Sequence, residues 1–370
     1  MKFMKNIPWI PLMIIVAIFV FGLVTEPGAA SGRIDDPAQL ASQLNTILTD
    51  RNFRGAALVV RDNEVILRAA HGMACDVQGI QNTIYAPFHI ASLTKNFTGA
   101  AILLLEQDGK LCTSNSLDNF FPGIDSLENV TIAHLLAMQG GFNDVTLWMF
   151  QNPRLTDVEE ALAISMAELE AYIFEHYWTG APQTRSIYCN TDYWLLGRII
   201  EQASGMPYEE FVASRLFTPA GMRNSGFSGI DESVTPHGLP AFYVGGQNFF
   251  DPNNWPFFFA YSTGGLISTV DDLNLWLDAY FGGTLFPEYL LDTVQAGDYN
   301  YGWMFVGDSI WYHLGEVAGF ASHMIYDRNS STRIILLSNE ARGANATLAR
   351  AVSDAVLGVP VGGLGIPRGR

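Results

Sequence analysis

Strands cannot stand alone, because their backbone N–H and C=O groups must find a neighbour. In this chain the strand signals lie far apart. Near the start, GAALVVRDNEVILRAAHG reads as a strand, a turn at Asp62 and Asn63, and a second strand, which is a hairpin. After residue 240 the segments YGWMFVG, SIWYHLG, ASHMIYDR and TRIILLSN are again short, β-rich and separated by turn residues. From about 130 to 235 the signals are mostly helical, as in VTIAHLLAM, VEEALAISMAELEAYIFEHY, TDYWLLGRIIEQASG and PYEEFVASRLF. With strands at both ends and helices between them, the two ends are expected to build one sheet. The expected fold is therefore α/β (α+β), an antiparallel β-sheet flanked by helices, with an all-helical domain inserted. Residues 31–100 and 236–370 are expected to build the sheet domain, and residues 101–235 the helical one. PAQLASQLNTILTD, with Leu40, Leu44, Ile47 and Leu48 at helical spacing, and NATLARAVSDAVLG supply helices next to the strands.

The first 30 residues stand apart. Lys2 and Lys5 precede the uncharged IPWIPLMIIVAIFVFGLV, and small residues follow at Gly28 and Ala30. This pattern predicts a secretory signal cut near Ala30. The apolar run, residues 7–24, is also about long enough for a bilayer, which takes roughly 20 residues, so an uncut anchor is the alternative. Either way the remainder is expected to be exported, periplasmic or extracellular, with the membrane touched only through this segment. The formal charge of −17 repels phosphate backbones and argues against nucleic acid as a partner. Three cysteines, Cys75, Cys112 and Cys189, imply no disulfide framework. No HExxH occurs and the histidines do not pair at ligand spacing, so no metal and no cofactor are expected.

Chemistry is concentrated in three stretches. HIASLTKNF places Ser92 and Lys95 three residues apart ahead of an apolar helix that stops at Asp108-Gly109. Residues i and i+3 share a helix face, and a serine needs a base within reach to act as a nucleophile. Burial would lower the lysine pKa and free its lone pair. Read alone, the pattern is better explained by a serine N-cap followed by a solvated lysine. SIYCNTDYWLLGRIIEQASG presents Tyr188 and Asn190 just before a helix. A tyrosine can relay a proton and an asparagine amide can orient a carbonyl, although the same residues also suit a packed ring and a cap. YHLGEVAGF puts His313 on a β-type segment, with Gly315 leaving room for a substrate backbone beside it.

Taken in order, Ser-x-x-Lys, Tyr-x-Asn and His-x-Gly resemble the motifs of the serine penicillin-recognising enzymes: class C β-lactamases, D-alanyl-D-alanine peptidases, and their esterase and D-aminopeptidase relatives. VTIAHLLAMQGGF is similar to that family's segment ending in His-Thr-Ser-Gly, YSTGGLISTVDDLNLWL to its Gly-Gly-Leu segment, and YGWMF to its Tyr-Gly-x-Gly-Trp strand. The resemblance implies a β-lactamase/transpeptidase-like fold and an acyl-enzyme. It implies that Ser92 is the nucleophile and that Lys95 and Tyr188 share the proton work. Asn190 would position Lys95 and substrate, and His313 would sit opposite Tyr188. The N–H groups of Ser92 and Glu316 would hold the oxyanion.

Three departures bear on substrate. His313-Leu314-Gly315 stands where class C β-lactamases have Lys-Thr-Gly, which removes a permanent cation and a hydroxyl. Glu316 adds an acid beside the implied oxyanion hole. Met138 and Gly140 replace the His and Ser of the family's segment, a change expected in structural support. The expected substrates are small molecules or peptides: esters, or amides such as D-amino peptides, ahead of β-lactams. The aromatic-rich segment 242–261 either lines the cleft or packs as a loop. A penicillin-binding protein that acylates and barely turns over, or a silent cell-wall peptide-binding protein on the same fold, is the alternative. His89, His134, His176 and His237 are read as structural or surface groups.

Overall fold

The hairpin forms as read. Strands β1 (Gly55–Arg61) and β2 (Glu64–His71) are joined at Asp62 and Asn63, both left-handed at φ 54° and 60°. Two successive positive φ values match the twist of the flanking strands, and Asp and Asn tolerate them. The far end of the chain gives β3 (Tyr299–Asn300), β4 (Trp303–Val306), β5 (Ile310–Val317), β6 (Phe320–Asp327) and β7 (Thr332–Ser338). All belong to one seven-stranded antiparallel sheet of order β3-β4-β5-β6-β7-β1-β2. The two ends of the chain meet at β1 and β7, where Gly55 lies opposite Ser338 and Val60 opposite Arg333.

The structure is a computed structural model that describes residues 32–76, 78–146, 164–227, 242–244, 247–249, 260–317, 319–340 and 346–363. The first 31 residues, with the apolar run 7–24, lie outside the described residues, as do His237 and most of the aromatic-rich segment. Of that segment, Phe242–Val244 and Gln247–Phe249 pair as a small hairpin. From Gly32 onward the chain forms one compact unit. No helix among the described residues is long and apolar enough to cross a membrane.

The longer helices are α1 (Pro37–Asp50), α2 (Thr94–Gln107), α3 (Met166–His176), α4 (Asn190–Ser204), α5 (Val270–Phe281) and α6 (Ala346–Leu357). Strands β1, β6 and β7 are buried along their whole length, so both faces of the sheet are covered. Neighbouring residues of β5 show by what. The Trp311 ring meets Phe281 of α5 at 5.2 Å, whereas Tyr312 feels the charge of Arg350 on α6. Successive strand residues face opposite ways, so α5 covers one face and α6, packed on α1, the other. Helix α3 starts at Met166, where the Ser165 hydroxyl accepts the Glu168 N–H at 3.1 Å and caps it.

The entry to α4 is built around a buried acid. Asp192 is 1% exposed, and its Oδ2 accepts the Gly140 N–H at 3.0 Å. Its Oδ1 has no hydrogen-bond partner. A Cβ on residue 140 would lie 2.5 Å from that same oxygen, so glycine at 140 and the acid at 192 fit one another. Burial, and then the charge of Asp144, push the Asp192 carboxyl well above the usual carboxylate range. Folding therefore favours the protonated form, and stability is withheld as pH rises above the ordinary carboxylate pKa. Asp192→Asn is expected to raise the melting temperature at pH 7 by about 2 °C or more, with the gain vanishing near pH 3. Thermal melts of both proteins across that range check it, and an equal gain at pH 3 would contradict it.

Candidate active site

Ser92 lies in a 3₁₀ turn, Ala91–Leu93, immediately before α2. The N-cap of α2 is Leu93, and no side chain caps this helix, so the Ser92 hydroxyl is not spent on capping. Ala91 takes a left-handed φ of 48°, which costs a non-glycine residue roughly 1–3 kcal/mol. The turn is held in that shape from three sides. Ile90 N–H donates to Leu266 O at 3.0 Å, and the Ser322 hydroxyl donates to Ile90 O at 2.8 Å. Thr94 Oγ1 donates to Ala91 O at 2.7 Å.

Lys95 is wholly buried, which removes the reading of a solvated lysine. Its Nζ donates to Asn190 Oδ1 and to Thr263 O, both at 2.7 Å, and to Ser92 Oγ at 3.2 Å. Tyr188 completes the cluster from the loop before α4, its hydroxyl donating to Ser92 Oγ at 2.7 Å. Asn190 is the first residue of α4 rather than its cap, so its amide is free to reach sideways. Its Nδ2 donates to Asp144 Oδ2 at 3.0 Å and to Thr146 Oγ1 at 2.7 Å. Ser92, Lys95, Tyr188 and Asn190, read from separate stretches of sequence, thus share one hydrogen-bonded cluster.

The β5 segment meets this cluster differently from its sequence reading. His313 is wholly buried, with both ring nitrogens engaged inside the protein. Its Nδ1 lies 2.6 Å from Leu314 O, which can only accept, so Nδ1 carries the proton and Tyr299 OH donates to Nε2 at 3.1 Å. Burial, and then the charge of Lys95, push this histidine down to about 3, so it is neutral at pH 7. Its ring sits 6.3 Å from that of Tyr188. Nor does Gly315 open room for a substrate backbone. A Cβ there would lie 2.4 Å from Ile90 O and 2.9 Å from Ser92 N. The space that glycine leaves is taken by the protein's own nucleophile turn. His313 and Gly315 face that turn, while Leu314 and the exposed Glu316 belong to the other face of the strand.

Four residues of the cluster were not read from the sequence. Thr263 acts through a backbone carbonyl, which no side-chain motif reveals; Tyr261, left-handed at φ 40°, marks the tight turn that presents it. Asp144 and Thr146 come from GFNDVT, a stretch with no spacing signal of its own. Tyr299 lies just upstream of the YGWMF strand. The histidines set aside stay outside the cluster. His134 caps its own helix by accepting the Thr131 N–H at 3.0 Å, His89 is buried, and His176 is on the surface. None of the three cysteines is in a disulfide.

The chain is similar to several known proteins. A penicillin-binding protein of Bacillus subtilis (strain 168), PbpX, called putative in its name, is 25% identical over 303 residues, covering 80% of this chain and 73% of the relative. Penicillin-binding protein 4* of the same organism is 31% identical over 189 residues, 50% of this chain and 40% of its own length. Among solved structures, D-amino acid amidase from Ochrobactrum anthropi SV3 aligns with TM-score 0.70 at 25% identity, covering 81% of this chain and 91% of that one. FmtA from Staphylococcus aureus aligns with TM-score 0.71 over 92% of both chains; at 16% identity it speaks for the fold alone. The Beta-lactamase family model matches residues 38–357. The chain belongs to the β-lactamase family, as a serine hydrolase of that fold.

Proposed function

We propose that the protein hydrolyses esters, or amides such as D-amino acid amides and D-amino peptides, through an acyl-enzyme on Ser92, and that β-lactams are poor substrates. The observation that carries this reading is the convergence of Tyr188 OH and Lys95 Nζ on Ser92 Oγ, at 2.7 and 3.2 Å. Ser92 Oγ attacks the carbonyl carbon while its proton passes to Tyr188 or Lys95, and the N–H groups of Ser92 and Glu316 take the oxyanion. The same pair returns the proton to the departing alcohol or amine. Water, deprotonated in the same way, then cleaves the Ser92 ester and releases the acid. The surroundings of Lys95 suit this traffic. As an ammonium it fills three acceptors; as an amine it keeps Asn190 and Thr263 and turns its lone pair to the Ser92 hydroxyl.

The substrate preference rests on what the site lacks. A neutral, buried His313 offers no cation to a substrate carboxylate, and Leu314 offers no hydroxyl. D-amino acid amidase, whose structure aligns with this one, is a precedent for amides. The basic start and the apolar run 7–24 support export, with that segment as signal or anchor.

Ser92→Ala is expected to lower turnover of a short nitrophenyl ester by about 10³-fold or more and to abolish the fluorophosphonate adduct seen by intact mass. An adduct that survives would remove Ser92 from the mechanism. kcat/KM for that ester is expected to exceed that for nitrocefin by about tenfold or more; comparable values would reverse the substrate ranking. Since His313 stays neutral down to about 3, His313→Gln should leave the shape of the kcat/KM profile between pH 5 and 8 unchanged. Loss of an inflection in that window would assign it to His313.

A further inference from the structure

We propose that Asp144, with Thr146, is a positioning residue that commits Asn190 to Lys95 and withdraws it from substrate; this rests on the hydrolase reading above. The direction of the Asn190 amide follows from its neighbours. An ammonium can only donate, so the atom facing Lys95 is the carbonyl oxygen, at 2.7 Å. A carboxylate can only accept, so the atom facing Asp144 is the NH₂ group, at 3.0 Å. The second Nδ2 hydrogen goes to Thr146 Oγ1 at 2.7 Å. An amide has two donors, and both are used inside the protein. None remains for a carbonyl of the substrate.

The clamp is itself anchored. Asp144 also accepts the Asn190 N–H at 3.2 Å and the Thr146 N–H at 2.8 Å. Thr191 Oγ1 accepts the Val145 N–H at 2.8 Å and donates to Asn143 O at 2.6 Å. One loop, residues 143–146, is thereby fixed to the first turn of α4 and sets the amide that holds the lysine. Recognition of the acyl group then owes nothing to residue 190, so an acylamino substituent on the substrate brings no hydrogen bond there.

A double-mutant cycle tests this in the full chain with a nitrophenyl ester. Asp144→Ala and Asn190→Ala should each lower kcat by about 10- to 100-fold with KM within about twofold, and the double variant should be no worse than Asn190→Ala. Asp144→Asn, which keeps one acceptor oxygen, should fall between wild type and Asp144→Ala, and it carries the cycle if Asp144→Ala does not fold. Asn190→Ala should reduce kcat/KM equally for plain and acylamino esters. Additive losses, a loss confined to KM, or a selective loss for the acylamino ester would overturn the proposal. A crystal structure of the position-144 variant decides independently of turnover, even if wild type proves not to hydrolyse esters. The Asn190 amide should have left Lys95, and a bond retained at the wild-type distance would overturn the assignment.

Discussion

A lysine ammonium taken out of water must have every proton matched, or its desolvation cost is not met. In this fold Lys95 meets that demand with three oxygens from three parts of the chain: Ser92 on the nucleophile turn, Asn190 at the start of α4, and Thr263 on the turn before β-type residues 266–268. The requirement works in both directions. The three elements are held in register because the lysine needs them, and the lysine is stiff because they surround it. Much of the surrounding architecture serves this one residue. Gly99 and Gly302 allow α2 and the turn between β3 and β4 to touch backbone to backbone; a Cβ on Gly302 would lie 2.4 Å from Lys95 C and O. Thr98 donates to Ser262 O at 2.6 Å and pins the turn that presents Thr263.

The sheet was legible because strand periodicity and turn residues are local signals, and because unpaired strands leave only one economical arrangement. The nucleophile, its lysine, the tyrosine and the asparagine were legible because their side chains are the chemistry and their spacing is short. What escaped was whatever acts through backbone or through distance. Thr263 contributes a carbonyl that any residue would offer. Asp144 acts only once α4 brings Asn190 to it, from 46 residues away in the chain. Gly315 was read as space for substrate, yet the depth of Ser92 against β5 is a property of packing that sequence does not carry. His313, expected opposite Tyr188, is turned inward by its two hydrogen bonds, to Leu314 O and Tyr299 OH.

Buried ionisable groups here have unlike fates, decided by how many partners each finds. Lys95 finds three oxygen acceptors. Asp192 finds one N–H and the neighbouring charge of Asp144, and its neutral form is favoured. His313 finds one donor and one acceptor, which is what a neutral imidazole requires, and burial removes its positive state. The cluster around Ser92 therefore sets one buried lysine beside a neutral histidine.

The pairing of β1 with β7 has a consequence in time as well as in space. Ser92 and Lys95 leave the ribosome well before the strand that backs them, β5, and the strand that closes the sheet on the hairpin, β7. Contacts between such distant residues form late, after the long loop between them has been closed. Until then β1 has an open edge and the nucleophile turn lacks the Ser322 hydroxyl that grips Ile90. The nascent chain thus carries Ser92 and Lys95 without their full support until β5 and β7 have joined the sheet.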